Sequence, residues 1–331
     1  MTNHLGIIGE FKKAHVAVIG DLMLDKYCEC LVERRSPEGP CLVAVEQDVY
    51  HRAGGSGNAC MNITSLGSKC SVFGVVGGDV EGGVISHLLA NAGCYVNGIC
   101  GLGLRTNCKT RFMAEGHHLL RYDTDRSVMP AIREEIVSQV IDALVEDLSD
   151  DMFSSVLISD YDKGLFDTER IMKIIGKCHE SNIPVIADPK YRNFMSYVGV
   201  DVLKCNLKEA AMACDKDPMD VVTADNICAL CEDIVEMLGC KSIIVTRGKN
   251  GMSVLSGGVL KHIPAQRVEI SELSGAGDTV AAVIAICLGI GMNVFEAARI
   301  ANVAAALVVG KSGTASVAPT ELANALKNLD S

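Results

Sequence analysis

Between Glu272 and Ala281 the chain reads Glu-Leu-Ser-Gly-Ala-Gly-Asp-Thr-Val-Ala, small residues followed at once by a carboxylate and an apolar, helix-like run. Gly275, Ala276 and Gly277 let the backbone approach a ligand closely, and the first N–H groups of a helix have no intrahelical partner. With the partial positive charge of the helix end they make a cradle for an anion such as phosphate. A carboxylate inside that cradle repels the anion, so Asp278 needs a purpose of its own. A capping aspartate is the plain structural reading. A general base that takes a proton from an attacking hydroxyl accounts better for its position. The pattern reads as phosphoryl transfer to an alcohol.

Such a cradle has to be held by strands that end where the helix begins. The runs Val16–Ile19, Ser155–Ile158, Ile183–Ala187, Val200–Leu203 and Ser242–Thr246 read as buried strands. Between them Ile132, Ile136, Val137, Val140, Ile141, Leu144, Val145 and Leu148 recur at helical spacing, as do Ile171, Ile174, Ile175 and Cys178. This alternation predicts the α/β class, a mostly parallel sheet covered by helices on both faces. Functional side chains then belong at the carboxyl ends of strands. Gly20-Asp21, Asp160, Asp188-Pro-Lys190, Asn206 and Arg247-Gly248 all follow predicted strands. Residues 41–50 and 108–123 break the rhythm and read as extended, partly polar ribbons. Thr279–Phe295 is strongly apolar but shorter than the roughly 20 residues of a membrane span. It is bounded by Asp278 and Glu296 and reads as a buried helix behind the cradle. No repeat or linker divides the chain, which is expected to form one domain over residues 1–331.

The bulk properties exclude several classes. A net charge of −11, a pI near 5.2, 4% aromatic residues and no tryptophan disfavour a nucleic-acid partner. The 15 cysteines are scattered through apolar segments, and the N-terminus lacks a signal-peptide core. Reduced, mostly buried thiols in a cytoplasmic protein are expected. Cys228 and Cys231 form a C-x-x-C among Ile227, Leu230, Ile234, Val235 and Leu238, so both are read as core-facing on a helix rather than as metal ligands.

Ser274-Gly-Ala-Gly-Asp-Thr279 resembles the C-terminal signature of the ribokinase-like (PfkB) sugar kinases, with Glu272 and Ser274 where Asp and Thr are usual. Ala53-Gly-Gly-Ser-Gly-Asn-Ala-Cys60 resembles the glycine-rich N-terminal signature of the same family. The resemblance implies a three-layer α/β/α sandwich with a small β lid, built from segments of about 26–52 and 100–125. The lid would cover the sugar and serve as a homodimer contact, and by excluding water it would suppress wasteful ATP hydrolysis. ATP and Mg²⁺ are implied, with a monovalent cation as an optional third. Asn206-Leu207-Lys208-Glu209 resembles the family's N-x-x-E motif, which implies Asn206 facing the phosphates and Glu209 holding Mg²⁺ through water. Thr246 and Gly248 resemble its nucleotide loop, and Asn302 and Gly313 its adenine-side elements. Gly310-Lys-Ser-Gly-Thr314 also imitates a P-loop, but Ala305 stands where that pattern needs glycine. Asp21, Asp25, Gly54, Gly55 and Asn58 resemble the sugar-hydroxyl ligands.

Longer stretches resemble one branch, the D-glycero-β-D-manno-heptose 7-phosphate kinases, including the kinase half of bifunctional ADP-heptose synthases. They are Gly20–Tyr27, Arg35–Pro40, Ser159–Gly164, Asp188–Lys190 and Ala301–Thr314. The branch implies phosphorylation of the anomeric hydroxyl in ADP-heptose synthesis, and only the kinase step is expected of a chain ending at Ser331. Small-molecule partners are implied, with no nucleic acid and no membrane. Asp160 joins the candidate acceptor ligands, and Lys109, Arg111, Arg121, Lys163, Lys190 and Arg192 are candidates for the acceptor's phosphate. A kinase for another sugar and a non-catalytic sugar or nucleotide sensor are the alternatives. A sensor predicts loss of the base or the metal carboxylate, and both are present. A nicotinamide oxidoreductase would need G-x-G-x-x-G after the first strand, where the chain has Gly20-Asp-Leu-Met.

Overall fold

In β1 (His15–Gly20), Val16 and Val18 enter one apolar cluster while Ala17 and Ile19 enter another. A strand buried on both faces needs helices above and below it, and the computed structural model supplies them. It describes residues 4–101, 103–125, 134–150, 152–221, 223–266, 268, 275–311 and 315–329.

The main sheet has β1, β4 (Lys69–Phe73), β6 (Tyr95–Val96), β10 (Ser155–Ser159), β11 (Val185–Asp188), β12 (Val202–Asn206), β13 (Ser242–Thr246), β14 (Met252–Ser256) and β15 (Val259–Ile263). Their order is β15-β14-β13-β12-β11-β10-β1-β4-β6, parallel from β6 to β13 and antiparallel through β14 and β15. One face carries α1 (His4–Glu10), α2 (Ser56–Ser65), α3 (Val80–Asn91), α8 (Ala276–Gly289), α9 (Val294–Val309) and α10 (Pro319–Leu329). The other carries α4 (Glu134–Asp147), α5 (Thr168–Glu180), α6 (Leu207–Ala213) and α7 (Ala224–Leu238). The result is a three-layer α/β/α fold. No helix among the described residues is long and apolar enough to cross a membrane.

A second sheet, ordered β3-β2-β8-β9, is formed by β2 (Leu22–Arg35), β3 (Leu42–Gly55), β8 (Asn107–Ala114) and β9 (His117–Thr124). The predicted ribbons lie within it. Two short strands, β5 (Val75–Gly77) and β7 (Ile99–Gly101), pair beside the main sheet.

Several expectations shift. The strand expected at 183–187 begins at Val185, because Pro184 has no N–H for the ladder. The one expected at 200–203 forms at Val202–Asn206, since the Val200 N–H closes a turn onto the Tyr197 carbonyl at 3.3 Å. The apolar run 279–295 is two helices, not one, parted at Gly291 with φ +80°. β4, β6, β14 and β15 were not foreseen, although Gly257-Gly258 (φ +56° and +75°) is the turn chemistry of a β14–β15 hairpin. On α7 Cys231 is buried, but Cys228 is only partly covered and lies beside Glu232, so one of the two thiols is not core-facing. Fourteen cysteines, among them Cys228 and Cys231, have free thiols.

Candidate active site

Three parallel strands and two helices converge on Asp278. Gly275 stands in the left-handed region at φ +85° and starts α8 with no side chain capping it. Among the described residues no side chain takes up the amides of the first turn, which suits them to a ligand. Asp278 itself is 6% exposed. Its Oδ2 accepts a hydrogen bond from Asn58 Nδ2 at 2.7 Å, and its Oδ1 accepts one from the hydroxyl of Tyr161. Asn62 and Thr279 lock α2 to α8 behind this pair, with Thr279 Oγ1 donating to Asn62 Oδ1 at 3.0 Å. Burial raises the Asp278 pKa above the ordinary range, and the Asp188 carboxylate adds to the rise. The donors Tyr161 and Asn58 and the charge of Lys204 pull against it.

Lys204 stands in the middle of β12, 4% exposed, with Nζ 2.7 Å from Asp188 Oδ2. A Cβ built on Gly277 would lie 3.0 Å from that ammonium, so Lys204 underlies the cradle. Sequence reading missed both Tyr161 and Lys204. A lysine inside an apolar strand was the available signal for Lys204, because a buried charge needs a partner.

The candidate acceptor-side residues are grouped at the junction of the two sheets. Asp21 Oδ2 accepts from the backbone N–H groups of Tyr161 (2.9 Å) and Lys163 (3.1 Å), fixing the loop after β10. Asp25 accepts from Arg111 Nη1 at 2.6 Å. Any side chain at Gly54 would strike the Asp25 carboxylate at 2.4 Å, and one at Gly55 (φ +60°) would strike the Asp21 carbonyl. Asp160, in contrast, uses both oxygens locally. It accepts from Asp162 N at 2.7 Å and from Asn193 Nδ2 and Tyr197 OH at 2.9 Å, which braces the loop.

The candidate phosphate cations separate clearly. Arg121 pairs with Asp123 on exposed β9, Arg192 faces Asp162, and Lys190 binds Glu209 at 2.8 Å. Lys163 pairs with Asp125. Lys109 has no ion-pair partner among the described residues, and its ammonium lies 5.9 Å from the Tyr161 ring centre. Burial lowers the Lys109 pKa, and repulsion from Arg111 and Lys163 lowers it further against the pull of Asp25.

A cleft of about 950 Å³ runs from Tyr161 past Lys190 to Asn206, Lys208 and Glu209. Asn206 caps α6 through Glu209 N at 2.9 Å, and Glu209 returns the bond to Asn206 N at 2.9 Å. The Asn206 Oδ1 is therefore turned to the helix and not to a phosphate. Leu207 opens α6 and packs into the core beside it. Burial opposes the charge of Lys190, but Asp188 and Glu209 outweigh it and raise its pKa. Thr246 ends β13 with Oγ1 on the Cys205 carbonyl at 3.3 Å, and Gly248 (φ +55°) opens the next turn. Asn302 on α9 donates to the Pro264 carbonyl at 2.8 Å and ties down the chain after β15. Gly313 lies outside the described residues.

Among the described residues no group of three or more His, Cys, Asp or Glu could hold a metal. Asp188 Oδ1 is buried with no hydrogen-bond partner among the described residues, and Glu209 is close by through Lys190. Mg²⁺ keeps several waters and takes one or two carboxylates beside phosphate oxygens, so this sparse oxygen set fits it.

Comparison with known proteins matches the architecture. The bifunctional protein HldE of Geobacter sulfurreducens is 37% identical over 311 residues, 93% of this chain and 62% of that protein. HldE of Rhodospirillum rubrum is 35% identical over 321 residues, 96% of this chain and 63% of that protein. The chain thus spans less than two thirds of these relatives' length. In fold it is similar to phosphofructokinase-2 from Escherichia coli, solved with potassium, at TM-score 0.78 and 18% identity over 96% of this chain and 99% of that one. Ribokinase of Arabidopsis thaliana, solved with ribose and ATP, gives TM-score 0.72 and 18% identity, covering 95% of this chain and 99% of that one. The model of the pfkB family carbohydrate kinases matches residues 13–321, and the chain belongs to that family.

Proposed function

We propose that this carbohydrate kinase transfers the γ-phosphoryl group of ATP to the anomeric C1 hydroxyl of D-glycero-β-D-manno-heptose 7-phosphate. The products are the 1,7-bisphosphate and ADP, in the route to ADP-heptose and the lipopolysaccharide core. One observation carries the chemistry: two glycine-rich signatures 220 residues apart meet in the Asn58–Asp278 hydrogen bond of 2.7 Å, beside an uncapped helix end.

Asp278 takes the proton of the acceptor hydroxyl as its oxygen bonds to the γ-phosphorus and the bridge to ADP breaks. The amides of Gly275, Ala276 and Gly277, with Lys204 beneath, stabilise the charge on the transferring group. Asn206, Leu207, Lys208, Thr246, Gly248, Asn302 and Gly313 form the nucleotide side, with the Asn206 amide N–H₂ as the donor left for phosphate. Glu209, through water, and Asp188 would hold Mg²⁺, which neutralises phosphate charge when bound. Asp21, Asp25, Gly54, Gly55 and Asn58 line the sugar, while Asp160 and Lys163 shape the loop beside it. The acceptor's phosphate lies on Lys109 and Arg111, because Lys109 is a half-buried cation with no ion-pair partner among the described residues. A second copy of the chain covers the second sheet, where the cross-strand pair Leu31 and Val45 is 44% and 53% exposed.

ADP release measured across free and phosphorylated sugars, with Asp278→Asn as control, tests the reading. Turnover of heptose 7-phosphate above the other sugars supports it. Strong turnover of ribose or fructose 6-phosphate with none of heptose 7-phosphate overturns the substrate and leaves the family untouched.

A further inference from the structure

Asp278 already has a hydroxyl on it. The contact that a base must receive from the alcohol it deprotonates is an O–H donated to a carboxylate oxygen. Tyr161 makes that contact at Oδ1, while Asn58 holds Oδ2. We propose that the Tyr161 hydroxyl is a placeholder for the acceptor alcohol, occupying the base until sugar arrives and so denying it to water. The inference rests on Asp278 being the base.

Three observations favour a placeholder over a simple buried hydrogen bond. The Tyr161 backbone N–H is held by Asp21, a candidate sugar ligand, at 2.9 Å, so the tyrosine and the acceptor share one support. Its ring has Lys109 and Lys190 at 5.9 and 5.1 Å from the centre, one on the acceptor side and one on the nucleotide side. Burial and the nearby Asp278 and Asp188 carboxylates raise the phenol pKa well above its ordinary value. The hydroxyl therefore donates its hydrogen bond without surrendering the proton. It occupies the base and does not react.

Without the hydroxyl, water can take the vacated place. The water oxygen then bonds to the γ-phosphorus, the bond to the bridging oxygen of ADP breaks, Asp278 accepts the proton, and ADP and inorganic phosphate leave. The test is ATP hydrolysis by the full chain with no sugar present. Tyr161→Phe keeps the ring and is expected to raise that rate about tenfold, a fraction of what a general base contributes. Tyr161→Leu gives a second variant if the first is poorly folded, and the double variant with Asp278→Asn should return the rate to the wild-type level. A Tyr161→Phe rate no higher than wild type overturns the inference, as does a gain that survives in the double variant. If Asp278→Asn alone retains sugar phosphorylation, the base assignment fails instead, and the two failures are distinct.

Discussion

Two helices begin at the carboxyl edge of the main sheet, and they begin differently. α6 closes on itself, with Asn206 and Glu209 exchanging hydrogen bonds in a capping box. α8 starts from a left-handed glycine with no cap. Among the described residues one helix end is satisfied internally and the other is not, which under the proposed function reserves it for a ligand at some cost in stability. Helix N-termini are alike as dipoles, so it is the cap that decides which of them can grip an anion.

Four measurements break or sharpen that contrast. Asp278→Asn, at the open end, should lower turnover at least about a hundredfold while the thermal melt stays cooperative; near-normal turnover removes the base. Asn206→Asp keeps the cap of α6 but removes the amide donor and adds charge. It should hold its melting temperature and raise KM for ATP about tenfold or more. Asn206→Ala loses the cap as well and should cost about 1 kcal/mol of stability in denaturant melts. An unchanged KM in both variants confines Asn206 to capping. Gly275→Ala forces a side chain into a left-handed backbone and should cost about 1–2 kcal/mol. No loss would mean that the uncapped start is easily rebuilt.

The smallest effect is in pH dependence. As the proposed base Asp278 would work ionised, and burial raises its pKa, so kcat/KM should fall on acidification at a pH above the ~3.9 of a free aspartate. Asp188 pushes that limb up, and Lys204, Asn58 and Tyr161 push it down. Tyr161→Phe should therefore move the limb to higher pH.

The sequence was most informative where a local pattern sufficed. β1, β10 and β13 were legible from apolar runs, and the cradle from three small residues and an aspartate. It was least informative where the contact is made across the fold. Tyr161 meets Asp278 at a separation of 117 residues, and an aromatic in a loop gives no local hint of its partner. Asp160 was read as a ligand because it follows a strand, yet the Asp162 N–H takes one of its oxygens and Asn193 and Tyr197, far along the chain, take the other. Lys204 was hidden by its apolar neighbours Val202, Leu203 and Cys205, although its charge was the clue.

β3 runs into α2 without an intervening loop, Gly55 being the last strand residue and Ser56 the first of the helix. Within one turn of that joint Asn58 reaches the base. Under the proposed function, a tilt of the second sheet would act as a lever whose short arm ends on Asp278, coupling the seating of a sugar to the aim of the carboxylate.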